Sequence, residues 1–174
     1  MHRYIVKNDV EKREETLEML CDKEIGTTFN IKLYKLETMI TELNPKFETV
    51  MIIDDNSIDL YVCLRIITKN NFGKKVLEFS VATKALQYLQ DHQNNFSILP
   101  QIIFLDIYMP EMSGFEFMKE YDKLSPQLKN HCKVYMISST IDTEDIVKSQ
   151  TDKNVVSFHV KPITKEFLNR IIAE

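Results

Sequence analysis

From residue 48 onward the chain alternates short apolar runs with segments of helical period, and this pattern constrains the fold more than any other feature of the sequence. The runs are Thr49 to Ile53, Lys75 to Ser80, Gln101 to Leu105, Lys133 to Ser138 and Ser157 to Val160. Between them the spacing predicts helices over Ser57 to Lys69, Thr83 to Gln90, Phe115 to Leu124, Thr143 to Lys148 and Lys165 to Ile172. Alternation of this kind describes a five-stranded parallel sheet wrapped by helices on both faces, a doubly wound α/β fold. Asn56-Ser57, Ser113, Asp142-Thr143 and Thr164 stand where helix N-caps belong. The helix from Thr143 is the weakest element, with only Ile146 and Val147 to bury.

The first 47 residues read differently, as a helical extension ahead of the domain at 48–174. Tyr4-Ile5-Val6 is their only strand-like run. Asn8 followed by Glu11 can cap a charged helix reaching about Cys21, with Gly26 ending it. A second helix is expected from about Thr28 to Leu43, before Asn44-Pro45 stops it. In it Phe29, Leu33, Leu36, Ile40 and Leu43 form a stripe that packs on a neighbour or serves a homodimer.

Composition removes several functions. Gly26, Gly73 and Gly114 are the only glycines, so neither the dinucleotide fingerprint nor the P-loop can be written. A net charge of −4, shared between extension and domain, offers no basic field for nucleic acid. Cys21, Cys63 and Cys132 are far apart, without a CxxC pair, and read as reduced thiols. No signal peptide or membrane-length apolar run is present, so a cytoplasmic protein without membrane association is expected.

Chemistry gathers at the strand ends. The first run ends in Asp54-Asp55, the third in Asp106, the fourth in Ser138 and the fifth in Lys161-Pro162. In an open parallel sheet the strand C-termini share one edge, where ligands bind. Crowded carboxylates raise one another's pKa unless a cation holds them. Oxygen ligands without His or Cys suit a hard ion, and an incomplete cage suits Mg²⁺ better than Ca²⁺. A metal, a lysine and a hydroxyl can each take one oxygen of a phosphoryl group, with an aspartate as nucleophile. Singly, Asp54-Asp55 would be helix-capping acids, Lys161-Pro162 a strand terminator and Phe158 a core residue. His2, His92, His131 and His159 show no ligand spacing.

The motifs IIDDNS, FLDIYMPEMSG, VYMISS and FHVKP, in this order and spacing, resemble response-regulator receiver domains over residues 48–174. The resemblance implies a flavodoxin-like strand order 2-1-3-4-5 and Mg²⁺-dependent phosphorylation by a histidine kinase or a histidine phosphotransfer protein. It makes Asp106 the phospho-acceptor and Asp55 a direct metal ligand, with Asp54 acting largely through a metal-bound water. The backbone carbonyl of Tyr108 would complete the metal site. Ser138 would be the switch hydroxyl, Lys161 the counter-charge and Phe158 the aromatic whose burial follows the switch. The bond before Pro162 is expected to be cis.

Ser138 stands where Thr is commoner, and Ser139 where Ala or Gly is usual. Tyr108 and Thr140 flank the path of a hydrolytic water, and with no carboxylate or amide expected there to orient it, self-dephosphorylation should be slow. The alternative is a phosphohydrolase of the haloacid-dehalogenase type, which wants an Asp two residues after the nucleophile, where this chain has Tyr108. Because no output domain is recognisable, signalling would run through an unidentified downstream protein, phosphate relay or the extension.

Overall fold

The computed structural model describes residues 2–7, 16–22, 26–32 and 44–173. The chain forms two compact units, Met1–Leu43 and Asn44–Glu174. In the first, β1 (His2–Lys7), β2 (Thr16–Asp22) and β3 (Gly26–Lys32) form an antiparallel sheet in the order β1-β2-β3. The expected helices over residues 8–21 and 28–43 are therefore corrected wherever these residues are described. β-Branched Thr27, Thr28 and Ile31 favour a strand, and Met19 pairs with Phe29 across the ladder. Of the proposed apolar stripe, Phe29 lies in β3, while Leu33, Leu36, Ile40 and Leu43 fall outside the described residues.

The second unit carries β4 (Phe47–Ile53), α1 (Ser57–Lys69), β5 (Gly73–Phe79), α2 (Ala82–Asp91), β6 (Ile102–Asp106), α3 (Gly114–Tyr121), α4 (Pro126–His131), β7 (Lys133–Ser138), α5 (Thr143–Thr151), β8 (Val155–Val160) and α6 (Lys165–Ala173). Its sheet is parallel in the order β5-β4-β6-β7-β8. Counted from Phe47 this is the expected 2-1-3-4-5. The central strands are buried on both faces and so read as unbroken apolar runs. Met51, Ile53 and Leu105 pack with Leu86, Leu89, Phe117 and Tyr121 on one face. Val50, Ile52 and Phe104 pack with Ile67, Phe167 and Leu168 on the other. Strand alternation thus feeds two separate cores.

The helix starts follow the caps. Asn56 accepts from the amides of Ile58 and Asp59 at 2.9 and 3.4 Å, Asp142 from Glu144 at 2.9 Å, and Thr164 from Phe167 at 3.2 Å. Ser113 and Glu116 close a reciprocal capping box on α3. Two departures are informative. Six-residue α4 has no apolar period of its own; it starts on the Ser125 cap with Pro126 in its first turn and buries only Leu128. Helix α5 extends to Thr151, but it buries Asp145 and Ser149 while Val147 stays exposed. Its inward face is polar, which is why an apolar count underestimates it.

Burial keeps the thiols of Cys63 and Cys132 protonated, the latter pushed up to about 12. Among the described residues no helix is long and apolar enough to cross a membrane.

Candidate functional site

Asp54, Asp55, Asp106, Ser138 and Lys161 each lie at or just beyond the C-terminal end of a strand of the parallel sheet. Asp54 and Asp55 follow β4, Asp106 closes β6, Ser138 closes β7 and Lys161 follows β8. Parallel strands bring these ends to one edge, where the side chains of Asp54, Asp55, Asp106 and Lys161 meet. Asp54, Asp55 and Asp106 offer oxygens that all lie within 4.8 Å of one another. Asp54 and Asp106 are buried and Asp55 is exposed. The Lys161 ammonium stands 2.7 Å from Asp54 Oδ2, 2.9 Å from Asp106 Oδ1 and 3.0 Å from Asp59 Oδ2. The Lys161–Pro162 bond is cis.

Gly114 fixes how closely the next helix approaches the end of β6. A Cβ there would stand 2.4 Å from the Asp106 carbonyl oxygen and 3.2 Å from Met136 Cε. Close approach, rather than a left-handed backbone, makes this position glycine. The Gly114 amide donates to the Ile107 carbonyl at 2.9 Å, which ties the start of α3 to the end of β6.

Electrostatically the pocket is unbalanced. Burial pushes Asp106 up to about 6, with Lys161 opposing and Asp54 reinforcing the rise. Asp54 moves in the same direction for the same first reason. Burial works against the Lys161 charge, but its three carboxylate partners prevail and hold its pKa above the usual lysine range. One ammonium thus faces three carboxylates and cannot neutralise them all. Asp54 Oδ2 pairs with that ammonium but takes no well-directed hydrogen bond. An all-oxygen set with surplus negative charge and a buried acceptor lacking a directed donor fits a small hard cation.

The surplus has a measurable sign. A carboxyl whose folded pKa of about 6 exceeds its unfolded value favours folding when protonated. Its contribution is complete below about pH 4 and is lost as pH rises through 6. The metal-free protein should therefore lose stability to urea between pH 5 and pH 7.5, by about 1 kcal/mol from this group, roughly half of its full contribution. Equal stability at both pH values would contradict the charge balance described.

Ser138 is tied to the lysine strand end, its carbonyl accepting the Lys161 amide at 2.8 Å. Ser138 is fully buried; its hydroxyl lies 3.2 Å from Thr140 Oγ1 and accepts the Thr140 amide at 3.2 Å. Phe158 is half-buried against the Phe117 side of the sheet, whereas the His159 ring stacks on Phe167 at 3.8 Å on the other. Adjacent residues of β8 thus face opposite ways, as strand alternation requires.

Two residues that contact the site carry no local sequence signal for it. Asp59 sits in the first turn of α1, where it reads as a helix-capping acid. Asp145, in the first turn of α5, accepts the Tyr108 phenol, which pushes the phenol above its usual pKa. This corrects the expectation that no carboxylate lies near Tyr108. The contact joins residues far apart in sequence, so no local pattern announces it.

Comparison with known proteins gives a consistent result. The model of the response regulator receiver domain matches residues 50–173. A probable methanogenesis regulatory protein of Methanothrix harundinacea is 26% identical over 125 residues, which cover 72% of this chain and 79% of that protein. A two-component response regulator of Oryza sativa subsp. indica is 28% identical over 71% of this chain and 78% of its own length. The crystal structure of a two-component response regulator from Cytophaga hutchinsonii superposes with a TM-score of 0.68 at 25% identity, covering 72% of this chain and 94% of that one. From the strand order, the acidic pocket of Asp54, Asp55 and Asp106, and the match across both, the chain belongs to the response regulator receiver domain family, the phospho-accepting signalling modules of two-component systems.

Proposed function

We propose that Asp106 is the residue that accepts the phosphoryl group, from a histidine kinase or a histidine phosphotransfer protein. The observation that carries this reading is the buried, undercompensated carboxylate pair, Asp54 and Asp106, sharing the Lys161 ammonium at the mouth of the sheet. Asp54, Asp55, Asp106 and the Tyr108 carbonyl would hold Mg²⁺. Bound there, the cation would offset the surplus charge and that of the phosphoryl oxygens. In transfer, the phosphorus–nitrogen bond of the donor breaks as an Asp106 oxygen bonds to phosphorus, and the leaving imidazole keeps the electron pair. Lys161 stays as counter-charge to the product.

Ser138 supplies the response. Its hydroxyl, resting on Thr140, would turn to a phosphoryl oxygen, and the space vacated would let Phe158 move inward from its half-buried position. Phosphorylation would thus shift a pre-existing equilibrium rather than create a new state. Exposed Val147 on α5, Val156 on β8 and Ile172 on α6 suit a downstream protein that senses this face.

The test is intact-mass analysis after incubation with acetyl phosphate. One phosphoryl group should be gained with Mg²⁺ and none with a chelator. Turnover of a phosphomonoester without a stable phosphoprotein would favour the phosphohydrolase reading instead.

A further inference from the structure

At the end of the parallel sheet opposite Asp106, a cavity of about 310 Å³ opens where β7 and β8 begin. Small-molecule sites start at about this size. Lys129 of α4, Lys133 at the start of β7, and Lys153 and Asn154 of the turn between α5 and β8 line it with donors. Val155 and Val156 form an apolar wall beside them.

Asp122, the residue that closes α3, gathers three of these groups. Its Oδ1 lies 3.0 Å from Lys129 Nζ and 3.2 Å from Lys153 Nζ, and it accepts the Asn154 side-chain amide at 2.9 Å. Two ammoniums are thereby held close together at the cavity. The Asn154 amide and both ammoniums keep the Asp122 carboxyl well below the usual carboxylate range.

Much of the donor capacity is still unspent. An ammonium carries three protons. Lys129 gives one to Asp122 Oδ1 and one to the Asp122 carbonyl at 2.5 Å, while Lys153 pairs with Oδ1 alone. The Lys133 ammonium has no ion pair or hydrogen bond among the described residues. Even with Asp152, which accepts the Asn154 backbone amide at 2.9 Å on the same turn, the corner keeps a positive charge on a chain of net charge −4.

The apolar wall is built by an irregularity. Val134 pairs with Val155 and Tyr135 with Ser157, so Val156 is an extra residue, a bulge in β8. It stands 42% exposed at the cavity. Stapling α3 to the turn would require Asp122 and its partners, but neither Lys133 nor the bulge.

We propose that this cavity binds a small organic phosphate monoester, with its phosphoryl group on the ammoniums of Lys129, Lys133 and Lys153 and its carbon chain on Val155 and Val156. A phosphoryl dianion offers several acceptor oxygens to lysines acting as point charges. Inorganic phosphate shares that chemistry but has nothing to lay on the valines.

The experiment follows the backbone amide resonances of the ¹⁵N-labelled full chain at pH 7.5, without Mg²⁺, during titration with n-butyl phosphate and separately with inorganic phosphate. Butyl phosphate should shift Lys133 and the stretch from Lys153 to Val156. It should bind about tenfold more tightly than inorganic phosphate, the gain expected from covering about half of a four-carbon chain. Lys133→Gln combined with Lys153→Gln should weaken its binding about tenfold, the scale of two exposed charge contacts. Both side chains are exposed, so the variant should keep the parent spectrum elsewhere. Val156→Ser should narrow the difference between the two probes. Absence of shifts at these residues at millimolar butyl phosphate, equal affinity for both probes, or unchanged affinity in the lysine variant would overturn the proposal. Shifts confined to the Asp106 end of the sheet would also overturn it, by placing the phosphate site there.

Discussion

Lys161→Met is expected to destabilise the metal-free protein by about 3–5 kcal/mol at neutral pH, the cost of stranding buried carboxylates by removing their common partner. The Lys161 side chain is 10% exposed, against 1% for Asp54 and 6% for Asp106, so solvent screens little of the interaction. Lys74 and Glu48 also form an ion pair at 3.1 Å, but their side chains are 64% and 72% exposed. Lys74→Met should therefore change stability by less than about 1 kcal/mol. Urea unfolding of the two variants separates the cases. The Lys161→Met deficit should shrink at pH 5, where the stranded carboxylates take up protons. A deficit below that of Lys74→Met would mean that the pocket is not the buried charge cluster described.

Asp106→Asn should abolish phosphoryl gain while leaving the fold intact. It should also stabilise the metal-free protein at pH 7.5 by up to about 3 kcal/mol, because a carboxyl lifted to about 6 is held ionised there at a cost to the native state. The fall in stability between pH 5 and pH 7.5 should flatten in the same variant. Combining Asp106→Asn with Lys161→Met should cost less than the sum of the two changes suggests, since one stranded charge has gone. Retained phosphoryl gain in Asp106→Asn would place the acceptor elsewhere. An unchanged pH dependence would place the titrating group elsewhere.

The receiver unit was legible because its physics is local. Val50 to Ile53, Ile102 to Leu105 and Val134 to Ile137 are buried on both faces, so each central strand is an apolar run; Asp54, Asp55, Asp106 and Ser138 close or follow such runs, while Lys161 follows the half-buried edge strand β8. Caps at Asn56, Ser113, Asp142 and Thr164 mark helix starts by side-chain chemistry that the sequence spells out. The illegible parts depend on distant partners. Leu17, Met19, Leu20 and Cys21 suit a helical face as readily as a strand, and the pairing of β2 with β3 decides between them. Helix α4 buries one leucine, too little to make a period. Asp59 and Asp145 resemble ordinary first-turn acids until folding brings them to Lys161 and Tyr108. Their roles come from tertiary contact alone.

The central claim is that Asp106 itself carries the phosphoryl group, and chemical trapping tests it most directly. Borohydride reduces an acyl phosphate to an alcohol and releases phosphate, so the acceptor becomes homoserine and can be located by peptide mass mapping after acetyl phosphate and Mg²⁺ treatment. The account predicts homoserine at position 106, only when Mg²⁺ is present. Homoserine at position 54 or 55, or a phosphoryl group found on Ser138, would contradict it.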